Sequence, residues 1–338
     1  MGKEGEQHFG GNFIQRTIKH FLRKAKLNYE IVGVENLTGI NPETGEEKPY
    51  NLKALLDQGE TATAVPNHPA YADFPTGAAI VAKEGLEEFM GALVASKRYT
   101  NSPLIGPPFR VIAYALDIEL QSVNPHKYGG DKENQKMNAK AEKKVRTSRV
   151  GIAVLEGGHS PEMQSARWGS VRWWEGKSYI VPVAFRGTEN QWPGGIFKLL
   201  YYLRKGRKEH KATLIIGEPV PVSYMERVAE VYAQGDPDPN ALRRFRVDFP
   251  NLLIANLHKE HVRSRGLEEN PEETKYTKGY YDDLSQELGE HPVSVSLRDL
   301  RRIGEYTVKL RKVKQQENAP EDKRITPKPA FRLNPGTL

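Results

Sequence analysis

The stretch AVPNHPAYADF, residues 64–74, sets a histidine at 68 and a carboxylate at 73 around Pro69. Imidazole and carboxylate on either side of a turn are the parts needed to move a proton. Asp73 can accept from one ring nitrogen, fix the tautomer and leave the other nitrogen to take a proton. That is a base and its orienter without a serine, so the nucleophile would be a substrate hydroxyl. The same spacing equally suits a turn histidine followed by a helix-capping aspartate. A second short sequence, LEGGHS at 155–160, puts Glu156 ahead of Gly157 and Gly158. Such a glycine turn is flexible, and its backbone N–H groups can face a ligand. A plain glycine turn has the same sequence.

Other chemistries are disfavoured by what the sequence holds. It contains no cysteine, which excludes a cysteine nucleophile, a thiolate metal site and a disulfide scaffold. His258 and His261 stand three residues apart on an expected helix, with no further ligands close in sequence, so no metal site is expected. GGHSPE is not a Gly-x-Ser-x-Gly elbow, and Ser160 reads as a turn hydroxyl. The glycine pairs at 129–130 and 194–195 lack a phosphate-loop context, and no cofactor is expected. Trp168, Trp173 and Trp174, with Arg167 and Arg172, fit either an acyl or membrane groove or core and rim packing.

The elements that must position these residues alternate between strand and helix. Apolar runs predict strands at 29–34, 61–66, 90–96, 113–120, 150–155, 179–185 and 212–216. Segments 76–89 and 132–148 have helical composition, while 38–51 and 124–134 read as polar surface loops. His68 and Glu156 each follow a strand directly, and the carboxyl ends of strands in open α/β sheets are where ligands bind. The expected fold is α/β: a mixed, largely parallel sheet of about seven strands flanked by helices. It carries an N-terminal amphipathic helix and a helical C-terminal extension. The division expected is 1–28 for the amphipathic helix, 29–223 for the α/β domain, 224–314 for the extension and 315–338 for a flexible tail. Within the extension, 224–265 and 296–314 read as helical, with Pro250 breaking or kinking the first and Ser296 to Asp299 forming a capping box.

Charge narrows the partner. A net charge of +7 over 338 residues favours an anionic partner: a phospholipid surface, a nucleic acid or a phosphorylated substrate. Residues 12–26, NFIQRTIKHFLRKAK, place Phe13, Ile14, Ile18, Phe21 and Leu22 on one stripe and Arg16, Lys19, His20, Arg23 and Lys24 on another. This amphipathic helix suits packing on the domain's own core or lying at an anionic membrane surface. Aromatics are not interleaved with the basic runs as stacking platforms, so no nucleic acid partner is expected. No run approaches the roughly 18 apolar residues of a transmembrane helix. The N-terminus lacks a secretory core, and Glu6 replaces the Ser or Thr of a myristoylation signal. A cytoplasmic protein, peripheral on the inner face of a membrane, is expected.

VPNHPAYADFP, SPLIGPPFRVIAYALDIEL, VLEGGHS, YIVPVAFRG and IIGEPVPV follow one another as in the glycerolipid acyltransferase family. The chain resembles that family, which includes the 1-acyl-glycerol-3-phosphate acyltransferases, over about residues 29 to 222. The resemblance implies acyl transfer from a thioester, acyl-CoA or acyl carrier protein, to a hydroxyl of a lysophospholipid or related lipid or polyol. It makes His68 the general base and Asp73 its orienter, and puts Glu156 and Gly157 in the acceptor site; Gly158, His159, Asn67 and Arg110 are expected to bind the acceptor with them. The chain departs from the family pattern twice. No arginine closes the second block at 117–120, and Gly158 and His159 stand where the family has Thr-Arg. Those two arginines would grip a phosphate bidentately. His159, Lys97, Arg98, Arg110, Arg167 or Arg172 would have to replace them, and an unphosphorylated acceptor is as compatible. A non-catalytic binding protein on the same scaffold, recruited to anionic membranes or nucleic acid, is the competing expectation.

Overall fold

Central strand β2 (Ala62–Pro66) shows why this sequence builds a layered sheet: its side chains are buried on both faces. A computed structural model describes residues 7–70, 73–103, 106–123, 132–155, 166, 169–188, 211–233 and 241–269. Around β2 stand β1 (Tyr29–Val32), β3 (Ala92–Ser96), β4 (Glu119–Val123), β5 (Val150–Ala153), β6 (Tyr179–Arg186), β7 (Ala212–Ile216) and β8 (Val220–Pro221). The sheet order is β1-β7-β6-β2-β5-β3-β4, with β8 on β6. All pairings are parallel except β6 with β7 and β6 with β8. The fold is therefore the mixed, largely parallel α/β sheet that the strand–helix alternation predicts.

Alternation along each strand sorts the core into two layers. Ile152, Val181, Leu214 and Ile216 point to one face, which α1 (Gln7–Arg23), α3 (Leu52–Asp57), α4 (Asp73–Glu84) and α6 (Gly106–Ala115) cover. Val65, Ala153, Ile180 and Ile215 point to the other, covered by α7 (Lys132–Thr147), α8 (Val222–Ala233) and α9 (Ala241–Ser264). The short helices α2 (Glu35–Thr38) and α5 (Lys97–Thr100) complete the elements named here. From β2 the chain steps one way to β3 and β4, then returns through α7 to β5 beside β2. With right-handed crossovers this reversal puts α4 and α6 on one face and α7 on the other. The reversal point lies at the carboxyl end of β2, where His68 stands.

Two expectations are corrected. Residues 113–120 do not form one strand: 113–115 end α6, and β4 begins at Glu119. Pro107 and Pro108 fit the first turn of a helix, where their missing N–H groups cost nothing. Asp117, at φ 56°, makes the left-handed turn that ends the helix and starts the strand. The second concerns the break that was one of the two outcomes expected at Pro250: α9 runs through it from Ala241 to Ser264. Residues 247–258 are buried throughout. A helix buried on all sides is held by tertiary packing, which here outweighs the lost hydrogen bond.

The expected helix at 296–314, with its Ser296–Asp299 cap, and the tail lie outside the described residues. Among the described residues, no helix is long and apolar enough to cross a membrane.

Candidate active site

His68 follows β2 by two residues, and Asp73 opens α4. The turn between them returns the aspartate to the imidazole: His68 Nδ1–H donates to Asp73 Oδ2 at 2.8 Å. Because a carboxylate only accepts, it selects the Nδ1–H tautomer, and Nε2 carries the lone pair. The Ala70 N–H also donates to Oδ2, at 2.9 Å. The positive end of α4 adds a further favourable field for a carboxylate at its first residue. Asp73 is more deeply buried than His68, with side-chain exposures of 5% and 18%. The orienter is thus locked in the protein while the ring reaches the surface of a cavity.

A third residue, which sequence reasoning missed, completes the holding of Asp73. Thr188, fully buried just past β6, donates its hydroxyl to Asp73 Oδ1. Each carboxylate oxygen therefore has a fixed donor, which sets the plane of the carboxylate and, through it, the ring. The clamp between β2 and β6 continues at Asn67. Its Oδ1 accepts from the Phe185 N–H at 2.5 Å, and its Nδ2 donates to the Phe185 carbonyl at 2.9 Å. Asn67 is almost wholly buried, so its amide extends the β2–β6 ladder past the last strand pair, Pro66 with Val183.

A cavity of about 670 Å³ opens from this pair, within the range of small-molecule sites. It runs between the sheet and α4, lined by apolar side chains such as Leu52, Val81, Phe89, Leu93, Val181 and Ile216. His68, Asp73 and Asn67 line it as well. Gly77 of α4 makes this spacing possible: a Cβ there would stand 2.9 Å from Phe185 Cζ. Phe74 of α4 and Phe109 of α6 stack with centroids 3.9 Å apart in its wall. What results is an aspartate-oriented imidazole in the lining of a mainly apolar cavity.

The remaining expected site residues are distributed unevenly. Glu156, Gly157, Gly158 and His159 lie outside the described residues, as do Ser160, Arg167 and Trp168. Leu155, immediately before them, lines the cavity with His68. Arg110 is exposed on α6, donates from Nη1 to the Thr100 carbonyl at 3.1 Å, and is not part of the cavity lining. Arg172 does line the cavity, with Nε donating to the Gly169 carbonyl at 3.0 Å. Arg243 of α9 lines it too. It was missed because nothing in its local sequence marks it; only the return of α9 to the sheet brings it there. Trp173 contributes to the cavity wall, whereas Trp174 is fully buried in the core with the Arg246 guanidinium 5.6 Å from its ring.

On α9, His258 and His261 are both buried. Burial and the Arg186 guanidinium push His258 down to about 3 and His261 also down. Lys177 is buried where β6 begins, donates to the Ser148 carbonyl, and is lowered to about 8 by burial. Among the described residues, no group of three His, Asp or Glu side chains is placed to hold a metal ion. Neither a comparison with family models nor a search of curated proteins finds a match to this chain.

Proposed function

We propose that the chain is an O-acyltransferase that moves a fatty acyl group from an acyl thioester to a hydroxyl, with His68 as general base. The observation that carries this reading is the Asp73-oriented imidazole of His68 in the lining of an apolar cavity of about 670 Å³. In the proposed reaction the acceptor hydroxyl gives its proton to His68 Nε2 as its oxygen attacks the thioester carbonyl carbon. The tetrahedral intermediate then collapses with cleavage of the C–S bond. The departing sulfur takes the proton from Nε2–H and leaves as a thiol, so His68 ends as it began. Asp73 holds the ring and offsets the charge of the transient imidazolium. The apolar cavity suits the hydrocarbon of an acyl chain, because burying methylene groups is favourable at about 0.8 kcal/mol each.

Acyl-CoA or acyl carrier protein serves as donor in this reading. For an anionic acceptor, Arg172 and Arg243 are cations that line the cavity among the described residues. The protein works peripherally at the cytoplasmic face of a membrane, and α1 meets that surface with its exposed Phe13, Ile14 and Phe21.

The test is thiol release from acyl-CoA and from acyl carrier protein thioesters, over a panel of phosphorylated and unphosphorylated lipid and polyol hydroxyls. Release that depends on the acceptor supports the reading. Failure of every pair, or equal release without acceptor, overturns it. Within this reading Thr188 is a positioning residue. Thr188→Val should lower kcat about tenfold, the equivalent of one buried hydrogen bond to a charged group, with KM little changed. Thr188→Ser should restore kcat. A Thr188→Val protein that loses stability but keeps the wild-type kcat would make Thr188 purely structural.

A further inference from the structure

Large apolar side chains exposed among the described residues are concentrated in one place. Phe13, Ile14 and Phe21 on α1, and Val111 and Tyr114 on α6, account for all but Ile40 and Leu242. Phe13 is 73% exposed, far beyond what a helix needs to rest on its own core. The core-facing side of α1 is separate, formed by Leu22 and the partly buried Ile18, with Ala25 buried just past the helix. At about 100° per residue, Phe13, Thr17, Phe21 and Ile14 fall within an arc of about 100°. Exposed Arg16 and His20 lie along its edge, and exposed Lys24 follows directly after the last residue of α1.

The two helices are fixed to one another. Gln15 Nε2 donates to the Tyr114 carbonyl at 3.2 Å and to Asp117 Oδ1 at 2.5 Å, and Lys19 pairs with Asp117 at 3.6 Å. On α6 the exposed positions Pro107, Arg110, Val111 and Tyr114 recur with helical spacing. Phe109, on the other side, lines the cavity and stacks on Phe74. Two acidic groups in this region are already paired, Asp117 with Lys19 and Glu87 with Arg23. The charge displayed beside the apolar side chains is therefore positive, from Arg16, Lys24 and Arg110.

We propose that α1 and α6 together form a platform for a bilayer containing anionic phospholipid, with α6 as the wall shared by that bilayer and the cavity. This rests on the reading of α1 as membrane-facing and adds the second helix and the lipid charge. Exposed aromatic and aliphatic side chains flanked by cations match an interface of acyl chains below anionic headgroups. A bilayer presents both chemistries over an area wide enough for two rigid helices.

Vesicle flotation of the full chain tests this without any need for acyl turnover. The probes are vesicles of phosphatidylcholine alone and vesicles of phosphatidylcholine with phosphatidylglycerol. The wild type should float with the anionic vesicles, and its partitioning should fall about fivefold for each of Arg16 and Lys24 changed to Gln. The double variant Val111→Ser, Tyr114→Ser should lower partitioning at least about tenfold, as should Phe13→Ser, Phe21→Ser. Circular dichroism should match the wild type for both, since all four side chains are exposed. If the α6 variant floats like the wild type, α6 is not part of the platform even where α1 binds. If the wild type does not float and the variants convert a dimer to a monomer in sedimentation velocity, the face joins two copies and the proposal falls. Thiol release with a water-soluble acceptor, measured on the same variants, reports separately on the reaction.

Discussion

His68→Ala is expected to lower acyl-thioester turnover by about 10²- to 10⁴-fold, the usual contribution of a positioned general base. The loss should appear in kcat, because the cavity that holds the apolar chain is lined mainly by other side chains. Folding should be little affected. The ring is partly exposed, and removing it still leaves Asp73 accepting from the Ala70 N–H and the Thr188 hydroxyl. The denaturation midpoint should therefore move by the equivalent of about 1 kcal/mol. Thiol-release kinetics and urea unfolding on the same preparation check both halves. Turnover equal to the wild type in a folded His68→Ala protein would remove His68 from the chemistry.

Asp73→Asn is expected to be as damaging to turnover, about 10³- to 10⁴-fold, and more damaging to stability. The carboxylate uses both oxygens as acceptors: Oδ2 for His68 Nδ1–H and the Ala70 N–H, Oδ1 for the Thr188 hydroxyl. An amide has only one acceptor oxygen. If its NH₂ faces His68, it opposes the Ala70 N–H and turns the imidazole to the tautomer that cannot act as base. If its NH₂ faces Thr188, the histidine keeps its tautomer but loses the negative charge that supports an imidazolium. Either way the base is weakened, and a buried site with an unmatched donor costs about 1–3 kcal/mol. Comparing kcat and the urea midpoint for Asp73→Asn and His68→Ala separates the two roles. An Asp73→Asn protein with wild-type kcat would show that the aspartate only caps α4.

The sequence made legible what depends on near neighbours. The His68–Asp73 pair spans five residues and a proline-bearing turn, and strand ends such as Pro66 stand out as apolar runs stop. Strands β2, β3, β5, β6 and β7 were legible for the same reason, because each is a compact apolar run; β4, with the sequence ELQSV, and the two-residue β8 were not. IAYAL at 112–116 misled because aromatic and β-branched residues suit a strand as well as a buried helix. The decisive marks were Pro107, Pro108 and Asp117, which punctuate rather than fill the element. Thr188 and Arg243 were not legible. Each reaches the site only because β6 lies beside β2, or because α9 returns across the sheet, and neither adjacency is written in the residues around them. Asn67 was expected in acceptor binding. Its amide hydrogen-bonds the main chain of Phe185, a partner on a strand more than a hundred residues away.

The pairing of β1 with β7, Tyr29 beside Ala212, bears on how the chain comes to be folded. Among the described residues β7 is the sole strand neighbour of β1 in the sheet order, so during synthesis β1 waits for β7 until the central strands have emerged. The hydroxyl of Thr188 and the main chain of Phe185 also arrive long after His68 and Asp73. Closing such long loops before their contacts can reward it makes folding slow. An unpaired apolar strand in the interval is a template for wrong pairing. Aggregation of nascent chains, rather than fragility of the finished sheet, is where this topology is most exposed.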